Sequence, residues 1–237
     1  MNSKNGRVLW LRWLAANGLG EMVGLGLTFV VGALVIPRLG DQQSMLAILA
    51  SFLVAVASGA IEATLVGLGQ WWAMHPWFTS ITPRKWWLAT LLGALVAYVL
   101  GYLPTTLMSL SEQASGTPAP AAEPEQWLVL LLAAALGVVG GAVLSFAQWL
   151  TMRNKVHGSS IWMPANMLAW LVGMPLIFWG IDFAQNLGGI LWIVLFMAGV
   201  LLITGMVVGG IHGVFLVWLS RGQASKATKT GSIITPT

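Results

Sequence analysis

A chain of 237 residues could form one or two soluble domains, but 57% of the residues are hydrophobic and only 8% are charged, which is typical of a membrane protein. The formal charge of +4 comes from basic residues scattered in ones and twos around apolar segments, and this pattern argues against a nucleic-acid-binding surface. Cysteine is absent, so the sequence excludes disulfides, thiolate metal sites and a cysteine nucleophile.

Six stretches are apolar and long enough to cross a bilayer, whose hydrocarbon core of about 30 Å requires about 20 helical residues. In chain order we predict these spans near residues 13–36, 45–72, 86–103, 127–150, 161–181 and 187–219. The first span follows basic residues, as a signal peptide would, but it lacks a small-residue cleavage site. We therefore expect it to be retained as a membrane helix.

The spans predict one all-α membrane domain, an integral bundle of about six transmembrane helices. Residues 1–103 would hold the first hairpin and the third span, and residues 127–220 would hold spans four to six. Between them, residues 104–126 predict an extracytoplasmic loop that is acidic and proline-rich, and residues 221–237 predict a polar cytoplasmic tail.

The basic residues predict the orientation, because cytoplasmic loops retain Lys and Arg. One side of the predicted topology receives Lys4, Arg7, Arg12, Arg84, Lys85, Arg153, Lys155, Arg221, Lys226 and Lys229. The other side receives Arg38 with Asp41, Glu112, Glu123, Glu125 and Asp182. Both termini are therefore expected in the cytoplasm. Most tryptophans fall near the same face, where we expect a one-sided belt among lipid headgroups.

The sequence predicts a helical hairpin that is used three times, since odd-numbered spans begin alike and even-numbered spans end alike. The starts are Trp13-Leu-Ala-Ala-Asn17, Trp86-Trp-Leu-Ala-Thr90 and Trp162-Met-Pro-Ala-Asn166, and the ends are Gln70-Trp71, Gln148-Trp149 and Val217-Trp218. Three hairpins in one orientation predict pseudo-threefold packing about an axis normal to the membrane. Glycines spaced four residues apart, as at Gly137 and Gly141, predict close helix packing.

These recurring Gln-Trp-Leu segments followed by Arg, with tryptophan-rich helix starts, resemble a class of uncharacterised bacterial multi-spanning membrane proteins. The resemblance covers most of the chain, and the third copy departs from it by having Val217 where the others have Gln. It implies a bacterial inner membrane, cytoplasmic or intracytoplasmic, and it implies no activity.

Two carboxylates, Glu21 and Glu62, lie within the predicted spans, where an ionised group costs about 3 kcal/mol at the bilayer centre. At about 1.5 Å per residue both lie roughly 12 to 14 Å inside the cytoplasmic boundary. If they face each other, at least one is expected to hold a proton, which would create a shared-proton or cation site. The alternative is a structural, protonated glutamate that hydrogen-bonds Asn17 or Gln70.

The other polar residues also favour the cytoplasmic halves of the spans. Asn17, Gln70, Gln148 and Asn166 are candidates for lining an inward-facing polar cavity, although such amides commonly bridge helices. His212 has Gly205 and Gly209 on the same side, which would leave room for a flat pigment such as haem or chlorin with one axial ligand. A hydrogen-bonded helix histidine is the alternative.

No catalytic or metal-binding motif is present, so we expect no enzyme activity, no metal site and no cofactor beyond bound lipid or a pigment at His212. The preferred interpretation is a non-catalytic accessory or interaction subunit of a larger membrane assembly. Its partners would be membrane lipid and other membrane subunits or further copies of the chain. The alternative is a small ion- or proton-coupled transporter or channel around Glu62 and Glu21.

Overall fold

The computed structural model describes residues 3–39, 44–116 and 124–231, and in these ranges the secondary structure is helical. The long helices are α1 (Ser3–Val35), α2 (Met45–Met74), α3 (Pro83–Ser115), α4 (Gln126–Met152), α5 (Trp162–Ala184) and α6 (Ile190–Gly231). All six are apolar and long enough to cross a membrane. The chain is therefore a multi-pass helical membrane protein, as its composition predicts.

Local signals set several helix ends. The Ser44 hydroxyl accepts a hydrogen bond from the Ala47 backbone N–H at the start of α2, and Pro83 occupies the first turn of α3, where no intrahelical donor is needed. Gly116 ends α3 in the left-handed conformation, with φ at 64°, which glycine adopts without a Cβ penalty.

Two segments that were predicted as loop and tail are partly helical. Helix α3 continues through Pro104 to Ser115, and α6 continues past residue 220 to Gly231. A helix that continues satisfies its backbone N–H and C=O groups by hydrogen bonds within the helix. It therefore need not end where the apolar stretch ends and polar side chains begin. Residues 117–123 of the predicted loop and 232–237 of the predicted tail lie outside the described residues.

The helices form a closed ring. Each helix packs against its neighbours in the chain, and α6 returns to pack along α1. The start of α1, the end of α6 and the connections 75–82 and 153–161 lie at one end of the ring, here named the terminal end. The ends of α1, α3 and α5 lie at the opposite, distal end. The two connections at the terminal end touch each other, since Lys155 Nζ donates a hydrogen bond of 2.8 Å to the Ser80 carbonyl.

Small residues bring neighbouring helices into backbone contact, as their spacing predicts. A Cβ atom on Gly141 would lie 2.8 Å from the Asn166 carbonyl oxygen, and one on Gly137 would overlap the Trp170 carbonyl. Gly205 meets the backbone of α1 in the same way. In lipid, close packing of this kind replaces the hydrophobic drive that holds soluble helices together.

The core is densest in the half of the ring near the terminal end. Its fully or almost fully buried residues are Leu9, Trp13, Ala73, Met74, Phe78, Ile81, Trp86, Met152, Val156, Trp162, Leu216 and Leu219. A smaller cluster around Leu25, Ile177 and Leu201 lies in the distal half. Side chains of the helices and of the two connecting loops therefore pack together at the terminal end of the ring.

Exposed tryptophans lie at both ends of the bundle. Trp72 and Trp218 are more than half exposed near the terminal end, and Trp127 and Trp192 are more than 60% exposed near the distal end. The predicted one-sided belt is therefore wrong. Both ends present an amphipathic indole at a level where headgroups are expected.

Candidate functional site

Three tryptophans, Trp13, Trp86 and Trp162, meet inside the ring and are named here the tryptophan triad. Trp86 and Trp162 stand in the first turns of α3 and α5, and Trp13 lies ten residues after the start of α1. Each is 0% exposed. Their ring centroids lie 5.8 to 6.5 Å apart in edge-on or tilted arrangements, which are favourable geometries for aromatic pairs. The prediction that these three belong to a headgroup belt is wrong, because their rings face the interior of the bundle.

Each triad indole N–H finds an acceptor on an even-numbered helix, as a buried donor-only group requires. The bonds run from Trp13 Nε1 to His212 Nδ1 (2.7 Å), from Trp86 Nε1 to Gln70 Oε1 (3.2 Å) and from Trp162 Nε1 to Gln148 Oε1 (2.9 Å). The polar residues of α2, α4 and α6 therefore hold the aromatic residues of α3, α5 and α1 in place.

The amides extend these bonds into an axial network that includes side chains from all six helices. Gln70 Nε2 donates to Asn17 Oδ1 (2.8 Å), and Gln148 Nε2 donates both to Gln70 Oε1 (3.2 Å) and to Thr90 Oγ1 (3.0 Å). Asn166 donates to the Trp162 carbonyl one turn earlier. The predicted polar residues therefore do come together: Asn17, Gln70 and Gln148 bridge helices, whereas Asn166 donates within α5.

Glu21 and Glu62 face each other directly above this network. Glu21 is only 2% exposed, Glu62 is half-buried, and both side chains line the same small cavity. The Tyr98 hydroxyl donates a hydrogen bond to Glu62 Oε2. A Cβ on Gly24 would lie 2.8 Å from Glu62 Cα, so the close approach of α1 and α2 at Gly24 is what brings the carboxyl groups together.

A cavity of about 20 Å³ lies between the network and the carboxyl pair, with room for about one water molecule. It is lined by Asn17, Glu21, Glu62, Ala63, Val66, Gln70, Thr90, Ala94, Leu144, Asn166, Trp170 and His212. The fully buried tryptophan triad lies between this cavity and the terminal end. An opening of the cavity towards the terminal end, which the sequence predicts, would therefore have to pass these three indoles.

His212 is a core residue of the axial network. It is 1% exposed, and its ring packs against Trp13 and Trp162. Since an indole N–H can only donate, Nδ1 must accept, and the imidazole is the neutral tautomer with its proton on Nε2. The space beside Gly205 and Gly209 is filled by Asn17 of α1. A flat macrocycle does not fit beside this histidine.

Tyr98 and the inward role of the tryptophan triad were not predicted from the sequence. The chain has two tyrosines, Tyr98 and Tyr102, one helical turn apart within a predicted span. That isolated pair of hydroxyls at membrane depth was the available signal. The position of Tyr98 on α3 is level with Glu62 because α2 and α3 run in opposite directions.

Comparisons with protein-family models, with curated proteins and with solved structures find no match to this chain. What the site does must therefore be inferred from its own residues and contacts.

Proposed function

We propose that this protein is a non-catalytic subunit of a larger membrane assembly, a rigid helical scaffold that other membrane components bind. One observation carries the proposal: the tryptophan triad and its hydrogen-bond acceptors close the bundle axis. A buried network in which polar groups find partners specifies one arrangement of helices. Such an interior favours a structural role over a passage for solutes.

We further propose that the ring consists of three repeated hairpins with pseudo-threefold symmetry. The three equivalent tryptophan bonds support this, and so does the series Met74, Met152 and Leu216, all 0% exposed and each four residues after Gln70, Gln148 and His212. In this alignment His212 takes the place of the two glutamines. The sequence motifs alone align Val217 with Gln70 and Gln148, whereas the tryptophan hydrogen bonds favour aligning His212 with them.

An apolar groove between α1 and α6 is the face that we assign to a partner's transmembrane helix. The groove has a volume of about 590 Å³ and is lined by Trp10, Leu14, Ile203, Met206, Val207, Gly210, Ile211 and Val214. Trp10 Nε1 donates to the Gly210 carbonyl, so this polar group of the wall is satisfied within the protein. Because Gly210 has no side chain, a partner helix could approach the backbone of α6 closely at this point, as small residues allow in lipid.

Extraction from the native membrane in mild detergent should recover the protein with a defined set of other membrane subunits. Native gels with mass spectrometry would identify them. A Gly210→Leu variant should lose these subunits, because the leucine side chain would fill the groove. The fold itself should tolerate the change, since a Cβ atom on Gly210 would lie 3.7 to 3.8 Å from the nearest side-chain atoms, which is ordinary van der Waals contact. Gly199→Leu is the matched control, since Gly199 lies on the same helix with no atom within 4 Å of an added Cβ.

A small proton- or cation-coupled carrier is the second candidate, and the observation that favours it is that the buried Glu21 and the half-buried Glu62 line one cavity. Flux in liposomes that contain only this protein, abolished by Glu62→Gln without loss of folding, would overturn the scaffold proposal. Recovery of the protein free of other subunits, with Gly210→Leu behaving like wild type, would also count against the scaffold and its groove.

We also propose that the terminal end faces the cytoplasm, because it carries the exposed Arg7, Arg84 and Lys85 and the cytoplasmic side retains cations. Since the chain lacks cysteine, single cysteines report the orientation cleanly. In bacterial spheroplasts a membrane-impermeant maleimide should label Gln185→Cys at the distal end and leave Ser80→Cys unlabelled until the membrane is opened. The reverse labelling pattern would refute this orientation.

A further inference from the structure

The carboxyl pair contains an oxygen that the protein leaves without a hydrogen-bond partner. Glu21 is only 2% exposed, and its Oε2 atom is buried and makes no hydrogen bond. Glu21 also lines the small cavity. A buried acceptor without a partner is destabilising, and more so when it is charged, so a cation or a hydrogen-bond donor beside Oε2 would stabilise the site.

The amide and hydroxyl side chains of the cavity wall each make a hydrogen bond elsewhere. The amide nitrogens of Asn17, Gln70 and Gln148 donate to other oxygens of the axial network, and Asn166 and Thr90 donate to backbone carbonyls one turn earlier. The hydroxyl of Tyr98 is used by Glu62. None of these side chains, nor His212 on the same cavity wall, hydrogen-bonds Glu21 Oε2.

We propose that Glu21 and Glu62 form a binding site for one small monovalent cation of the Na⁺ class, which takes the place of one of the two protons that the pair can hold. The cation would lie in the small cavity against Glu21 Oε2. This inference goes beyond the proposed scaffold function and does not depend on it, because binding requires no flux and no partner.

Charge and size select the ion. Two carboxylates with one proton and one monovalent cation form a neutral site, which is the least costly charge state in a low-dielectric interior. A divalent ion prefers more oxygen ligands, and the described residues contain no cluster of three or more His, Asp or Glu side chains. A cavity of about 20 Å³ admits a dehydrated Na⁺ but excludes an organic cation such as choline.

Protons compete for the same oxygens, so the affinity for the cation should rise with pH. The titratable groups that face Glu21 are Glu62 on α2, Tyr98 and more distant Tyr102 on α3, and His212 on α6. Helices α4 and α5 contribute no ionisable side chain to the described cavity wall. Competition with one proton changes the apparent dissociation constant by up to about tenfold per pH unit.

Thermal unfolding of the full chain in mild detergent tests the site, followed through intrinsic tryptophan fluorescence at constant ionic strength. Replacing choline chloride by NaCl at pH 8 should raise Tm in a saturable way, because an ion that binds only the folded protein stabilises it. At pH 7 the half-saturating Na⁺ concentration should be higher, by up to about tenfold.

Glu21→Gln and Glu62→Gln should remove the Na⁺-dependent increase in Tm, whereas Glu112→Gln, in the part of α3 beyond Pro104, should keep it. Where a glutamine variant fails to fold, equilibrium binding of radioactive Na⁺ to the wild-type protein, with and without excess unlabelled Na⁺, measures the site directly. A Tm that is equal in Na⁺ and choline at both pH values would overturn the proposal and leave a proton-only pair. A Na⁺ effect that persists in Glu21→Gln would overturn it as well.

Discussion

Replacing Trp162 by alanine should lower the free energy of unfolding by about 3–5 kcal/mol, the usual cost of removing a large buried aromatic side chain. Trp162 is 0% exposed, packs against both other members of the tryptophan triad and donates to Gln148. The variant therefore loses aromatic packing and leaves the Gln148 oxygen without this donor. Reversible unfolding in mixed micelles, followed by circular dichroism, measures the difference.

Trp192→Ala is the matched control for this experiment, because Trp192 is 63% exposed on α6 and its removal opens no interior cavity. Its unfolding free energy should stay close to that of wild type. Trp86→Ala should cost about as much as Trp162→Ala if the hairpins are equivalent. A small loss for Trp162→Ala, similar to that of Trp192→Ala, would show that the triad does not hold the bundle together.

Gly137→Ala should destabilise the contact between α4 and α5 by about 2 kcal/mol or more, even though alanine is the better helix former. The added methyl group would overlap the Trp170 carbonyl oxygen, and backbone cannot yield as the end of a flexible side chain can. The two helices must separate, which weakens packing along the interface. The same unfolding measurement in micelles detects the loss.

Gly199→Ala provides the control for this second prediction. Gly199 lies inside α6 with no atom within 4 Å of an added Cβ, so alanine should leave stability unchanged or raise it by up to about 1 kcal/mol. Equal stabilities for the two variants would contradict the close approach of α4 and α5 at Gly137.

The number and nature of the spans follow from the sequence, because lipid offers no hydrogen bonds and each crossing therefore requires a long apolar helix. The level of the carboxylates also follows, since a helix rises by a constant amount per residue. Glu21 and Glu62 accordingly meet. The ends of α3 and α6 do not follow from hydropathy, because hydropathy reports where a helix can leave the hydrocarbon and not where its backbone stops being helical.

Only the tertiary structure decides which way each apolar face points. In a soluble protein, an apolar helix face next to a polar one can be assigned to the core from the sequence. In a membrane protein the lipid-facing surface is as apolar as the core, so this contrast is missing. Trp86 and Trp127 therefore look alike in the sequence, although the first is fully buried and the second is 62% exposed.

The closure of the ring decides the rest of the site. Trp13 and His212 are 199 positions apart, and they meet only because α6 packs along α1. The same closure fills the space beside Gly205 with Asn17 of α1 and places Glu21, whose Oε2 has no hydrogen-bond partner, in the wall of a cavity of about 20 Å³. The sequence by itself determined that buried polar groups must find partners in the membrane, whereas the identity of each partner depends on which helices become neighbours, which is a property of packing.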